Sequence, residues 1–175
     1  MAFQIPDIQR IEKWLETLRS VSASSEYLER LEVLADLYLK QDGYEPALEY
    51  VEEILSHAPR IHIPQKKRIR LEMKVVECFL KRSLCAEAIE RCKSIAVELS
   101  QSDDAELRAR LQLLLSNAHW KMGDYAGATV VGKRALDLFL QLGDERSIAE
   151  CYNMLGKTLL RLGQPGPARE QFEDA

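Results

Sequence analysis

The chain has 175 residues, of which 46% are hydrophobic and 30% charged, with 8 glycines and 6 prolines. A chain of this length buries about 70% of its unfolded surface on folding, so it needs neither a disulfide framework nor a structural metal. The composition excludes collagen-like, mucin-like and disordered chains, which require more glycine, proline or net charge. The net charge is −4, without the basic excess that is typical of nucleic-acid-binding proteins. We therefore expect an ordered, soluble protein, and its charge disfavours nucleic-acid binding.

No segment is apolar over the roughly 20 residues that a membrane-spanning helix needs. The first six residues, Met1 to Pro6, lack the positive and apolar regions of a secretory signal. The sequence thus predicts a cytoplasmic protein without a membrane span.

The four cysteines do not have the spacing of a metal site. Cys78, Cys85 and Cys92 lie seven residues apart and Cys151 stands alone, whereas zinc ligands are typically about two to four residues apart. We interpret them as small core residues. The chain also lacks a His-Glu-x-x-His pair, a Gly-x-Ser-x-Gly serine and a glycine-rich phosphate loop. We expect no metal, no cofactor and no enzymatic activity.

Helical periodicity runs through the chain, and strand patterns are nearly absent. Ile8, Ile11 and Leu15 begin the first apolar stripe, and similar stripes follow to the end of the sequence. The periodicity predicts nine helices, near residues 8–20, 25–41, 44–57, 64–82, 85–100, 104–122, 125–142, 145–162 and 165–174.

Capping signals mark several helix ends. Asp103 with Glu106 has the pattern of a capping box, as does Ser147 with Glu150, although Asp144 is an alternative start one turn earlier. The last three helix hairpins place Gly123, Gly143 and Gly163 just after periodic segments, where a left-handed C-terminal cap is typical.

The chain also resembles itself at a fixed offset, which is the signature of a repeat architecture. Four alanines, Ala47, Ala88, Ala128 and Ala168, follow one another at steps of 41, 40 and 40 residues. A turn precedes three of them, and it includes Gly43-Tyr44 in the first unit and Gly123-Asp124-Tyr125 in the third. The second unit departs most from the pattern, with Ser83 in place of the turn glycine.

The repeating unit resembles the tetratricopeptide repeat, in the branch of about 40 residues found in Leu-Gly-Asn scaffolds, kinesin light chains and bacterial regulators. Asn153-Met154-Leu155-Gly156 is particularly similar to that branch. The resemblance implies an all-α, right-handed α-solenoid of antiparallel helix pairs. It divides the chain into an N-terminal helix (1–27), three repeats (28–68, 69–108 and 109–148) and a truncated fourth repeat (149–175).

In this family, ligands usually lie on the inward-facing side of successive A helices, which are the first helices of each repeat. The resemblance therefore implies a concave partner-binding face that comprises Asp36, Leu39, Lys40, Glu77, Lys81, Arg110, Asn117, Trp120, Lys121, Asn153, Lys157 and Arg161.

Two ladders cross this face, an apolar one (Leu39, Leu80, Trp120, Leu160) and a basic one (Lys40, Lys81, Lys121, Arg161). The basic ladder suits a peptide that carries acidic groups. The favoured alternative is that this ladder is ordinary repeat consensus, because cations at helix C-termini interact favourably with the helix dipole. Chaperone-binding relatives clamp a terminal carboxylate at positions that correspond here to Glu32 and Asp36, or to Met73 and Glu77 one repeat later. Acidic side chains repel a carboxylate, so we expect no such binding here.

The sequence supports two functions that the residues alone do not separate. The first is a non-catalytic module that binds a protein or peptide on the concave face. The second is the ligand-sensing part of a bacterial multidomain regulator. Because the last helix ends early, at Ala175, we expect either a longer protein or a second copy that covers this helix.

Overall fold

A computed structural model of the chain describes residues 5–18 and 25–175, and these residues form nine α-helices and no strands. The helices are α1 (Ile5–Leu18), α2 (Ser25–Lys40), α3 (Tyr44–His57), α4 (Gln65–Lys81), α5 (Cys85–Leu99), α6 (Ala105–Lys121), α7 (Tyr125–Leu142), α8 (Glu145–Arg161) and α9 (Pro165–Glu173). The prediction of an all-α chain with nine helices is confirmed for this part of the chain. The first helix begins at Ile5, earlier than the apolar stripe suggested, and the end predicted for it near residue 20 lies outside the described residues.

Left-handed residues end five of the A or B helices. Gly123, Gly143 and Gly163 have φ values of +82°, +68° and +72°, which confirms the predicted glycine caps. Asp42 and Ser83 adopt φ values of +59° and +63° after α2 and α4. The second repeat therefore keeps the helix-ending geometry of the others although Ser83 replaces glycine.

Both predicted capping boxes were wrong in their N-cap residue. Asp104, not Asp103, caps α6, because its Oδ1 accepts a hydrogen bond of 3.1 Å from the Leu107 amide. The alternative start of α8 is the observed one, with Asp144 Oδ1 accepting from the Ser147 amide at 3.2 Å. Each cap satisfies an amide that the first helical turn leaves without a partner.

The four repeated alanines are completely buried, which confirms that they mark the close crossing of paired helices. In the α6–α7 hairpin the crossing is also tied by Ser116, whose hydroxyl donates to the Ala128 carbonyl at 2.8 Å. A small residue lets the two backbones approach, and the buried hydroxyl finds its acceptor on the neighbouring helix.

The chain divides into two compact units, residues 1–78 and 79–175, with the division inside α4. In the first unit, α1 is attached to the α2–α3 hairpin through Glu12. Its carboxylate accepts hydrogen bonds from Tyr38 at 2.6 Å and Tyr50 at 3.0 Å, and these two rings stack at 5.9 Å. Ile8 and Leu15 add buried apolar contacts, so both polar and apolar groups hold α1 in place.

The second unit contains α5 to α9, with α6 packed on α5 and α7, α7 on α8, and α8 on α9. Its core joins Leu113, Leu136, Phe139, Cys151 and Leu155. The side chains come from α6, α7 and α8, so helices of successive repeats share one apolar core. No single helix pair could bury this surface alone.

Candidate functional site: the groove between α6 and α8

On the first unit, the A-helix side chains are engaged with one another. Lys74 Nζ lies 2.7 Å from Asp36 Oδ1 and 3.4 Å from Glu32 Oε1, and Lys67 Nζ lies 2.8 Å from Glu32 Oε2. Burial alone would raise the pKa of Glu32, but the hydrogen bond from Lys67 and the charges of Lys74 and Lys67 together hold it below its usual range. Asp36, predicted as a binding residue, is therefore paired within the protein, and the charges of Lys67 and Lys74 are balanced there.

The second unit has an open groove between its two A helices, α6 and α8, with a volume of about 860 Å³. We call it the α6–α8 groove. It brings together four of the predicted binding residues, which are Arg110, Asn117, Asn153 and Lys157.

Helix periodicity explains why these four residues meet. Arg110 and Asn117 are seven residues apart on α6, and Glu150 and Lys157 are seven apart on α8, so each pair lies on one face of its helix. The repeat offset then aligns the two helices, and Arg110 Nη1 lies 2.9 Å from Glu150 Oε2. This ion pair joins α6 to α8 across the groove.

Glu150, an inward-facing position of the fourth repeat by its spacing, also lines the groove. The structure adds groove residues that the sequence did not predict, namely Asp144, Arg146, Ser147, Ala149 and Met154. Three of them belong to the cap and first turn of α8. The capping pattern at Asp144 was the available signal, but it indicates a helix start and not a groove wall. Hydrogen bonds from the side chain and backbone of Ser147 lower the pKa of Asp144, and the charge of Arg110 adds to this effect.

The groove has a surplus of uncommitted positive charge. Of its cations, Arg110 is paired with Glu150, whereas Arg146 and Lys157 are exposed and form no ion pair within residues 25–175. Asp144, the second carboxylate, already accepts the α8 cap hydrogen bonds. An anionic group that enters the groove would therefore meet two cations without displacing an existing partner.

Two amide side chains lie between these charges. Asn153 Nδ2 donates to the Ala149 carbonyl at 3.0 Å, which leaves its side-chain oxygen to accept from a ligand. Asn117 is half-buried and makes no side-chain hydrogen bond in the described part of the chain. The groove thus offers hydrogen-bonding groups as well as charge.

The aromatic residue predicted on this face lies one turn beyond the groove, towards the C-terminal ends of α6 and α8. The Arg161 guanidinium lies 5.6 Å from the centre of the Trp120 ring, and Tyr125 packs edge-on at 6.5 Å. The Trp120 Nε1 is buried and makes no hydrogen bond to the described residues. Trp120 and Arg161 therefore form a stacked pair next to the groove, while Lys121 beside them is exposed.

The predicted apolar ladder is wrong at one of its four positions. Leu80 is only 2% exposed, so it belongs to the core. Leu39 is half-buried and Leu160 is 51% exposed. Of the remaining predicted residues, Lys40 and Lys81 are exposed and Glu77 is half-buried.

The described residues contain no cluster of three or more metal-ligating side chains. Cys78, Cys92 and Cys151 are buried as free thiols, and burial raises the pKa of Cys92 and of Cys151 to about 12. Thiols of this kind are core residues and are poor nucleophiles. In the same part of the chain, no helix is long and apolar enough to span a bilayer.

A family model described as tetratricopeptide repeat matches residues 107–175, which contain the α6–α8 groove. This segment of the chain is therefore similar to tetratricopeptide repeats. The observed hairpins, buried alanines and glycine caps of this segment are the features that the sequence resemblance implied. A comparison with curated proteins finds no match.

Solved structures share an all-α helical repeat fold with most of the chain. The Rap protein complexed with Competence and Sporulation Factor is 17% identical over 95% of this chain and 46% of its own, with a TM-score of 0.79. PlcR of Bacillus thuringiensis, in complex with the peptide PapR7 and DNA, is 12% identical over 97% and 62%, with a TM-score of 0.76. BtubC (BKLC) from P. vanneervenii is 18% identical over 95% and 70%, with a TM-score of 0.75. At these identities the likeness shows a common fold.

Proposed function

We propose that this chain is a non-catalytic protein-interaction module and that the α6–α8 groove binds an extended, acidic segment of a partner protein. The observation that carries the proposal is the pair of exposed cations, Arg146 and Lys157, which lie at either end of one groove and form no ion pair with the described residues. Charge-assisted hydrogen bonds to carboxylates are stronger than neutral ones, so these two residues would fix the position of the ligand.

The spacing of the cations limits the ligand further. Arg146 and Lys157 are 11 positions apart on α8, which corresponds to roughly 16 Å at a rise of 1.5 Å per residue. An extended peptide rises about 3.3 Å per residue. Two acidic side chains about five residues apart would therefore reach both cations, with Asn117 and Asn153 facing the backbone between them.

Fluorescence polarisation with labelled peptides of ten residues tests this proposal. The peptides carry two glutamates separated by three to seven positions in an otherwise uncharged sequence. We expect the tightest binding near a separation of five, and at least a tenfold loss of affinity in Lys157→Glu. Lys133→Glu is the matched control, because Lys133 is exposed on α7 and does not line the groove. Equal affinity for all separations, or equal losses in both variants, would contradict the proposal.

The fold shared with Rap and PlcR supports a second candidate, the ligand-sensing part of a multidomain regulator. Those two proteins were solved with Competence and Sporulation Factor and with the peptide PapR7. For this candidate, the full-length gene should encode an effector segment, and a groove ligand should change the activity of that segment. A partner that binds the groove without any such effect would favour the interaction module.

A further inference from the structure

The second unit has another groove, which shares no residue with the α6–α8 groove. It lies between α5 and α7 over the N-terminal half of α6, and its volume is about 490 Å³. We call it the α5–α7 groove. Ala96 and Leu99 of α5, Leu111 of α6 and Leu138 of α7 supply its apolar wall.

The groove is short. On each of the three helices its lining residues fall at positions i, i+3 and i+4, which is a single turn, or roughly 6 Å of helix axis. Its volume lies within the range of small-molecule sites, about 300 to 1,000 Å³. A stable protein partner buries about 800 Å² on each side, which is far more than one turn of three helices presents.

The mouth of the groove has a positive excess. Arg108 donates to the backbone carbonyls of Ser102 at 2.9 Å and Asp103 at 3.5 Å, and neutral acceptors leave its charge uncompensated. Arg134 is exposed and has no ion pair within the described chain. Against these two cations the described lining contains one carboxylate, Asp137.

We propose that the α5–α7 groove binds a small amphiphilic anion, which is a single carboxylate on a short acyl chain or an aromatic ring. The apolar part would lie against Leu99, Leu111 and Leu138, and the carboxylate would reach Arg134 at the mouth. The two arginines select against a cation of the same shape, and the single turn of length selects against a long chain. This site is independent of the peptide-binding proposal, because it uses other residues and another ligand class.

Methyl NMR of the full chain, with sodium octanoate as the probe, tests the assignment. Octanoate is expected to shift the methyl signals of Leu111 and Leu138 with a dissociation constant in the millimolar range or below. Octylammonium chloride, which has the same chain and the opposite charge, should bind at least fivefold more weakly. Arg134→Glu should weaken octanoate binding at least fivefold, while the neighbouring and equally exposed Lys133→Glu should leave it within twofold of the original.

A second variant tests the apolar wall. Ala96 is exposed on α5, so Ala96→Trp fills the groove from its open side and should abolish the octanoate shifts. Ala96→Leu replaces it if the circular dichroism of the tryptophan variant shows unfolding.

Three results would overturn the proposal. The first is equal methyl shifts from octanoate and octylammonium. The second is an equal loss of octanoate affinity in Arg134→Glu and Lys133→Glu. The third is no shift of the Leu111 and Leu138 signals at a 20-fold molar excess of octanoate over protein. Shifts of the same leucines by an acidic helical peptide, when octanoate leaves them unmoved, would also overturn it, in favour of a protein partner.

Discussion

Replacing Gly132 of α7 by alanine tests how tightly the repeats pack. By helix propensity alone, this change should stabilise the protein by about 1 kcal/mol, because glycine in a helix interior is that much less favourable than alanine. The structure indicates the opposite sign. A Cβ at this position would lie 3.0 Å from Ser116 Oγ and 3.1 Å from Leu155 Cδ2.

Neither neighbour can move away easily. Ser116 is fully buried and hydrogen-bonded to the Ala128 carbonyl, and Leu155 is 2% exposed in the core of the unit. Overpacking of this kind costs about 1 to 3 kcal/mol. Subtracting the propensity gain leaves a net loss of about 1 kcal/mol in the free energy of unfolding for Gly132→Ala.

Urea denaturation followed by Trp120 fluorescence, with Trp14→Phe in every variant, measures this loss. Gly166→Ala is the control, because a Cβ there meets no atom within 4 Å, and its free energy of unfolding should not fall. Ser116→Ala should remove part of the cost of Gly132→Ala, since the two sites are in contact. A Gly132→Ala protein that is more stable by about 1 kcal/mol would refute the packing argument.

Three further predictions concern a cap, a titration and a thiol. Asp104→Ala should lower the free energy of unfolding by about 1 kcal/mol, because it removes the N-cap of α6, whereas Asp103→Ala should have almost no effect in the same denaturation assay. The hydrogen bond to Glu12, with burial, raises the pKa of Tyr38 to about 12. The stabilisation by the Tyr38–Glu12 hydrogen bond is therefore complete below pH 10 and lost as the pH rises through about 12. Glu12→Gln should return the Tyr38 pKa, measured by NMR, towards 10. Cys92 should resist iodoacetamide at pH 8 in the folded protein and react after unfolding in urea, as mass spectrometry would show.

Each of these predictions has a contradicting result. Equal losses in the two aspartate variants would mean that the cap hydrogen bond does not stabilise α6. An unchanged Tyr38 pKa in Glu12→Gln would mean that Glu12 does not attach α1 through a hydrogen bond to Tyr38. Rapid alkylation of Cys92 in native buffer would show that the core of the second unit opens readily.

Local chemistry explains why the helices and their order were predictable. Apolar periodicity, the repeated alanines and the glycines after α6, α7 and α8 all act within a few residues of the chain. The same reasoning put the start of α6 at the wrong aspartate, since Asp103 and Asp104 are equally good caps by residue type. Only the backbone conformation at Asp104, which directs its side chain to the Leu107 amide, distinguishes them.

The candidate site was predicted in part. The residues that were found follow from spacing along the chain, and those that were missed depend on contacts between distant residues. Arg110, Asn117, Asn153 and Lys157 were found because the repeat offset aligns equivalent faces of α6 and α8. The pairing of Asp36 with Lys74, 38 positions away, was not found, because residue type alone does not show which charges neutralise each other. The burial of Leu80 was missed for a related reason, since a ladder of equivalent positions assumes that every repeat has the same neighbours.

The amino-acid sequence specifies the helical repeat, its period and the residues that end its helices, because these depend on backbone preferences and on spacing along one face of a helix. Packing of the helices against one another sets which side chains remain available to a ligand. Among the described residues, Arg146 and Lys157 form no ion pair, whereas Glu32, Asp36, Lys67 and Lys74 are paired with one another. Availability depends on distances between helices that are far apart in the chain, and these distances are set when the helices pack.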